Sequence, residues 1–307
     1  MGRVFAATVM ALLWSLSALG AEPVRGFYWN LGPAETIGSP ALNARTIDLL
    51  KVYHVGEVHI WINDNRADSD CAETFYSAPA TWWPVDELRS FSRLLQANQI
   101  KPIYTISPRI EANPWLNSLL AADGPIALAN ELGGIPIELD LEGNWQPIKA
   151  TAKCDALDPG FADESLVVGI KGTSPNSPII VSTTPDVHGR IRHANLIENV
   201  TAVSPQLYGA HFGNSAKSTA ATLAKYRAAF KDLPIIPALS IECSSDNARH
   251  HRCSQAALEQ QLKAIRDALP ASQLTSYALW GRREARACPA PSDASVCSTF
   301  ADGYLRQ

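Results

Sequence analysis

Short apolar runs recur eight times along this chain, each separated from the next by a longer polar or amphipathic stretch. That alternation constrains the fold more than any other feature. The candidate strands are 24–30, 57–63, 101–107, 134–142, 178–183, 202–208, 234–242 and 276–281. The spacing predicts helices between several of them. Residues 85–98 follow Pro84 and carry Leu88, Phe91, Leu94 and Leu95 on one face. Residues 159–170 open after Asp158, a capping side chain, with Pro159 in the first turn. Residues 218–230 and 254–268 repeat apolar positions at helical spacing, with Ser254 as a cap. Strand–helix alternation implies parallel strands with helices outside. Eight such units make an α/β protein with a single (β/α)8 TIM barrel the expected architecture. An open, doubly wound sheet is the competing arrangement, but the glycine-rich phosphate loop it would use is missing.

The first 20 residues stand outside this pattern. Arg3, an apolar run over 4–19 and the small-residue end Ala18-Leu19-Gly20 read as a secretory signal peptide. Residues 21–307 are then the mature domain, expected in the periplasm or secreted. No later run is apolar for long enough to span a bilayer. A net charge of −4 and the lack of any Lys/Arg run argue against nucleic acid as a partner. The six cysteines suit an oxidising compartment and disulfide-stapled loops. Cys243 and Cys253, and Cys288 and Cys297, are spaced for local bridges that would leave Cys71 with Cys154. Six cysteines allow many pairings, so the connectivity stays open. No CxxC occurs, and neither a metal nor a cofactor is expected.

The fourth strand carries the chemistry. It reads Ile-Pro-Ile-Glu-Leu-Asp-Leu-Glu-Gly-Asn-Trp over 135–145. Period-two alternation puts Ile135, Ile137, Leu139 and Leu141 on one face and Glu138, Asp140 and Glu142 on the other. Three carboxyls in an enclosed row are expected to raise one another's pKa, so that some keep their protons near neutrality. General acid catalysis needs such a carboxylic acid.

Active sites of barrels lie at the C-terminal ends of the strands. Strand one delivers Tyr28, Trp29 and Asn30 there, and strand two Trp61, Asn63 and Asp64. Strand four adds Asp140, Glu142, Asn144 and Trp145, strand six Gln206 and Tyr208, strand seven Glu242, and strand eight Trp280. Arg282 and Arg283 follow. Aromatic faces among amides and acids suit a sugar ring, whose C–H faces stack while its hydroxyls find polar partners.

On these residues the chain resembles the family 18 glycoside hydrolases, the chitinase-like barrels. Glu138-Leu139-Asp140-Leu141-Glu142 is similar to the last part of that family's strand-four signature, DGxDxDxE, with Glu138 where the family has Asp. Ser204-Pro205-Gln206-Leu207-Tyr208 resembles its strand-six Gln-x-Tyr element, and Tyr277-Ala278-Leu279-Trp280 its strand-eight segment. The matching motifs cover about a tenth of the chain. Ile135 and Pro136 replace the signature's Asp and Gly, and Gly209 replaces the Asp or Asn that follows the family's tyrosine.

The resemblance implies a hydrolase acting on an amino-sugar polymer of chitin or peptidoglycan type, which the expected signal segment would export. Glu142 would be the general acid. Asp140 would orient the substrate acetamido group that attacks the anomeric carbon, and Tyr208 would hydrogen-bond that group. Gln206 would hold the sugar above Trp280, Glu138 would share protons with Asp140, and Tyr28, Trp29, Trp61 and Trp145 would complete the binding surface. A second enzyme reading pairs Glu142 with Glu242 in a double-displacement route, although Leu141 replaces the Asn usual before that acid. A third reading is a carbohydrate-binding barrel without catalysis.

Overall fold

A computed structural model describes residues 22–29, 31–62, 83–106, 119–141, 166–183, 198–208, 216–230, 232–240 and 255–280. In chain order it contains β1 (Val24–Trp29), α1 (Pro33–Thr36), α2 (Pro40–Val52), β2 (Val55–Trp61), α3 (Val85–Ala97), β3 (Lys101–Ile106), α4 (Pro125–Glu131) and β4 (Ile137–Leu141). There follow α5 (Val168–Thr173), β5 (Ile179–Thr183), β6 (Val200–Pro205), α6 (Ala216–Ala229), β7 (Ala238–Ser240), α7 (Gln255–Ala268) and β8 (Ser276–Trp280).

All eight expected strands form, and they pair in parallel in the order β6-β5-β4-β3-β2-β1-β8-β7. The seam between β6 and β7 is joined by the parallel bridges Val203↔Ile235 and Gln206↔Ala238. Backbone bonds from Ile236 N to Val203 O (2.8 Å) and from Leu207 N to Ala238 O (2.7 Å) hold it. The sheet is therefore a nearly closed barrel. Pro234 and Pro237 stand in the run before β7 and cannot donate to a ladder.

The helices lie outside because the outward face of each strand is apolar. Ile137, Leu139 and Leu141 of β4 join one large cluster with Leu88, Phe91 and Leu95 of α3 and Ile126 and Leu128 of α4. Ser92 of α3 is also buried in this layer and hydrogen-bonds the Tyr104 hydroxyl at 2.8 Å. The helix expected over 85–98 forms as α3, and those over 218–230 and 254–268 form as α6 and α7. Residues 159–165 lie outside the described part, and α5 sits at the C-terminal end of the stretch expected as a helix. Sequence patterning missed α2 and α4. Ser39 caps α2 by accepting from Leu42 N, and each of the two helices begins on a proline. After α4, Gly133 and Gly134 take φ of 94° and 82°. A Cβ at Gly134 would sit 2.8 Å from the Asn176 carbonyl oxygen, so the turn into β4 needs glycine there.

Inside the barrel, Ile103, Ile180, Ala202 and Ile236 form a separate apolar layer. Tyr28, Tyr208, Ala238 and Ala278 form another, against which Trp61 and Trp280 pack. The segment expected as a signal peptide and all six cysteines lie outside the described residues. Among the described residues, no helix is long and apolar enough to cross a membrane.

Candidate active site

Both faces of β4 are buried, so its acidic side looks into the barrel rather than into bulk water. Glu138 is wholly buried and accepts three hydrogen bonds. Tyr28 Oη donates to Oε1 at 2.6 Å, while His59 Nδ1 and Thr105 Oγ1 both reach Oε2 at 2.8 Å. The strands put these donors there by simple alternation. Tyr28 and His59 are register partners on β1 and β2, and Thr105 is the register partner of Glu138 on β3. The Tyr28 and His59 rings lie 4.6 Å apart, tilted by 39°.

This environment decides the charge of Glu138. Burial is the largest single influence and opposes ionisation. The neighbouring His59 and the bonds from His59, Tyr28 and Thr105 together outweigh it, holding the carboxyl below its ordinary value. Tyr28 moves the other way: burial first, then the Glu138 and Tyr208 charges, push its phenol well above the usual value. One expectation from the sequence is corrected here. The hydrogen-bond partners of Glu138 are His59, Tyr28 and Thr105 rather than a proton shared with Asp140. Both oxygens of this carboxylate are taken up by protein donors, so Glu138 underpins the site rather than contacting a sugar.

Two residues further along β4, Asp140 is 5 % exposed and accepts a hydrogen bond from Gln206 Nε2 at 2.7 Å. The same Gln206 nitrogen lies 3.4 Å from Ser182 Oγ on β5. Gln206 Oε1 is buried with no hydrogen-bond partner among the described residues, and so is Trp61 Nε1. Beyond Gln206 on the same face, Tyr208 stacks on Trp280 with centroids 4.9 Å apart and an interplanar angle of 15°. The barrel thus gathers Asp140, Gln206, Tyr208, Trp280, Trp61 and Tyr28 in its upper interior, as the spacing of the motifs anticipates.

Trp29 does not join them. It follows Tyr28 by one residue and therefore points to the opposite face. There it packs on Phe27 and Phe91 and donates Nε1–H to Thr36 Oγ1 at 2.9 Å. Trp29 is a residue of the outer core, which corrects its assignment to the binding surface. Glu142, Trp145 and Glu242 lie outside the described residues, as do Asn30, Asn63, Asp64 and Asn144.

Sequence reading missed His59, Thr105 and Ser182. The signal for His59 was present, since Glu57, His59 and Trp61 alternate with apolar residues on β2. Glu57 and Lys101 pair at 3.2 Å on the neighbouring strands β2 and β3. Among the described residues, no group of three or more His, Cys, Asp or Glu side chains is placed to hold a metal.

No protein-family model matches this chain, and no curated protein matches it. Solved structures do resemble it. A family 18 chitinase from Pseudoalteromonas aurantia is similar with a TM-score of 0.54 at 14% identity, covering 91% of this chain and 99% of that one. A proposed alpha-L-fucosidase from Bacteroides thetaiotaomicron gives 0.54 at 11% identity, covering 92% of each chain. A family 113 beta-1,4-mannanase gives 0.54 at 10% identity over 84% of this chain and 87% of the other. Identities this low establish a common barrel fold and nothing finer, and they leave the chemistry to be argued from the side chains.

Proposed function

We propose that this protein is an exported glycoside hydrolase that cleaves an amino-sugar polymer of chitin or peptidoglycan type. The observation that carries the reading is the joining of Asp140 to Gln206 at 2.7 Å in a buried layer that also holds the stacked Tyr208–Trp280 pair. A carboxylate, an amide and a flat aromatic surface in one enclosed cup are the three elements a pyranose ring requires. The similarity of the fold to barrels named as a chitinase, a mannanase and a fucosidase supports the same class.

In this reading Glu142 protonates the departing glycosidic oxygen. Asp140, its carboxylate fixed by Gln206, orients the substrate acetamido group as its oxygen attacks the anomeric carbon. Tyr208 hydrogen-bonds the same group, and Trp280 lies beneath the sugar. Residues 1–20 direct export and are removed, and the cysteines close disulfides in the loops. N-terminal sequencing of the exported chain should begin at residue 21.

Glu142→Gln decides between catalysis and binding alone. Loss of a general acid lowers kcat by roughly 10²–10⁴, while calorimetric affinity for a chito-oligosaccharide should stay close to wild type. Wild-type protein that binds such glycans without any turnover would leave a carbohydrate-binding barrel as the function. An equally deep loss of rate in Glu242→Gln would favour the double-displacement route over substrate assistance.

A further inference from the structure

We propose that His59 is a positioning residue for the acidic row of β4. Seated in space left by Gly26, its ring holds the Glu138 carboxylate in the lower layer, so that the exchangeable proton of the row resides above it. The pairing stands on geometry alone, and its catalytic consequence rests on the glycosidase reading.

The His59 ring is held between β1 and β4. One face lies against Tyr28, and Nδ1 is 2.8 Å from Glu138 Oε2. Nε2 is buried and has no hydrogen-bond partner among the described residues. A Cβ at Gly26 would come within 3.0 Å of that nitrogen, 3.2 Å of the Tyr277 carbonyl oxygen and 3.3 Å of Ala278 Cβ. Only glycine leaves this niche open. With Nε2 turned into it, Glu138 is the only hydrogen-bond partner of the imidazole among the described residues. Because an ionised carboxylate only accepts, Nδ1 carries the proton.

The length of the side chain matters too. Asp, the residue of the resembled signature at this position, would reach about 1.5 Å less far. The additional methylene of Glu138 carries its carboxylate towards His59, Tyr28 and Thr105. The titratable and charged groups around the pair are Tyr28 on β1, Glu57 on β2 with Lys101 on β3, and Asp140, which follows at about 6–7 Å along β4. Tyr208 packs in the same layer as Tyr28. An anion fixed at Glu138 favours retention of a proton by Asp140, the next carboxyl along β4, because like charges oppose each other's ionisation.

Two readouts test this on wild type, His59→Leu, His59→Gln and Gly26→Ala. The first needs no substrate: the pH titration of side-chain carboxyl carbons in protein labelled with ¹³C at glutamate. We expect one carboxyl to titrate below the ordinary range in wild type and to rise above that range in His59→Leu, far enough for it to hold a proton over the alkaline limb, because burial then acts with one partner fewer. His59→Gln keeps an N–H donor and should fall between them. An unmoved carboxyl in folded His59→Leu overturns the proposal. Should His59→Leu not fold, Gly26→Ala presses the ring aside by a few tenths of an ångström and must raise the same carboxyl.

The second readout is the pH profile of kcat/KM on a chromogenic chito-oligosaccharide. Its alkaline limb should move to lower pH by about half a unit or more in His59→Leu, with partial recovery in His59→Gln. A fallen rate with an unmoved limb overturns the catalytic role and leaves His59 a structural residue. Absence of turnover in wild type on every glycan overturns the glycosidase reading instead, while the carboxyl titration still decides the pairing.

Discussion

Glu138 and Asp140 sit two residues apart on one face of one strand, yet the barrel serves them differently. Glu138 draws donors from three other strands, β1, β2 and β3, and both of its oxygens are occupied. Asp140 draws on β6, through an amide whose own carbonyl oxygen is buried without a partner among the described residues. The lower carboxylate is saturated, although His59 Nε2 on the far side of the ring is buried without a hydrogen-bond partner among the described residues, and its donors stabilise a charge that burial alone would suppress. The upper site ends in polar atoms that a bound molecule can satisfy. Buried polar groups left open inside a fold are expensive, and they persist where a ligand completes them. The comparison therefore separates a carboxylate whose two oxygens are taken up by protein donors from one held beside an open amide oxygen, and substitutions can test the division.

The largest effect should come from the lower carboxylate. Glu138→Leu removes the acceptor and leaves Tyr28, His59 and Thr105 buried around an apolar side chain. Removing one member of a buried charged group costs about 3–5 kcal/mol. Urea denaturation of this variant should show a correspondingly lowered midpoint with an unchanged slope. A loss below about 1 kcal/mol would mean that the lower donors have other partners, and the comparison would fail at its base.

The next effect is a pH dependence. The folded-state pKa of Glu138 is depressed, so its contribution to stability is fully present above the ordinary carboxyl value and is lost as pH falls through the folded one. Tyr28→Phe deletes one donor to a charged acceptor, worth about 1.5–3 kcal/mol, and raises that folded value. Acid unfolding followed by circular dichroism should therefore begin at higher pH in Tyr28→Phe than in wild type. Coincident acid transitions would show that the Tyr28 bond contributes nothing to holding the charge.

The barrel and the upper cup were legible in the sequence for a physical reason. Strands buried on both faces announce themselves as apolar runs, and alternation then dictates which residues turn inward. Hence Asp140, Gln206, Tyr208 and Trp280 converge as their spacing implies. The same rule, applied strictly, also excludes Trp29, since no strand sends both Tyr28 and Trp29 inward. What alternation along a single strand cannot supply is the cross-barrel partner. His59 is an ordinary member of β2 until the closure of the sheet brings it to Glu138, 79 residues away. Like-charge crowding within β4 was visible in the sequence, whereas the donors that overrule it come from three other strands. α2 and α4 are weakly marked in the sequence because their apolar positions follow no clean helical stripe, and of the two only α2 has a side-chain cap, Ser39.

The smallest effect on the fold, and the sharpest test of the upper site, comes from Trp61→Phe. Trp61 packs against the Tyr28 and Tyr208 layer, and its Nε1 has no hydrogen-bond partner among the described residues. Phenylalanine keeps an aromatic ring on that surface and removes only a donor that the protein itself does not use. The unfolding free energy should stay within about 1 kcal/mol of wild type. If a bound glycan satisfies that donor, its loss should weaken binding by about 1 kcal/mol, roughly fivefold, in calorimetry with a chito-oligosaccharide. The opposite pattern, lowered stability with unchanged affinity, would place the indole donor in the service of the fold. The unsatisfied atoms of the upper interior would then not mark the ligand layer, and the contrast with Glu138 would lose its functional meaning.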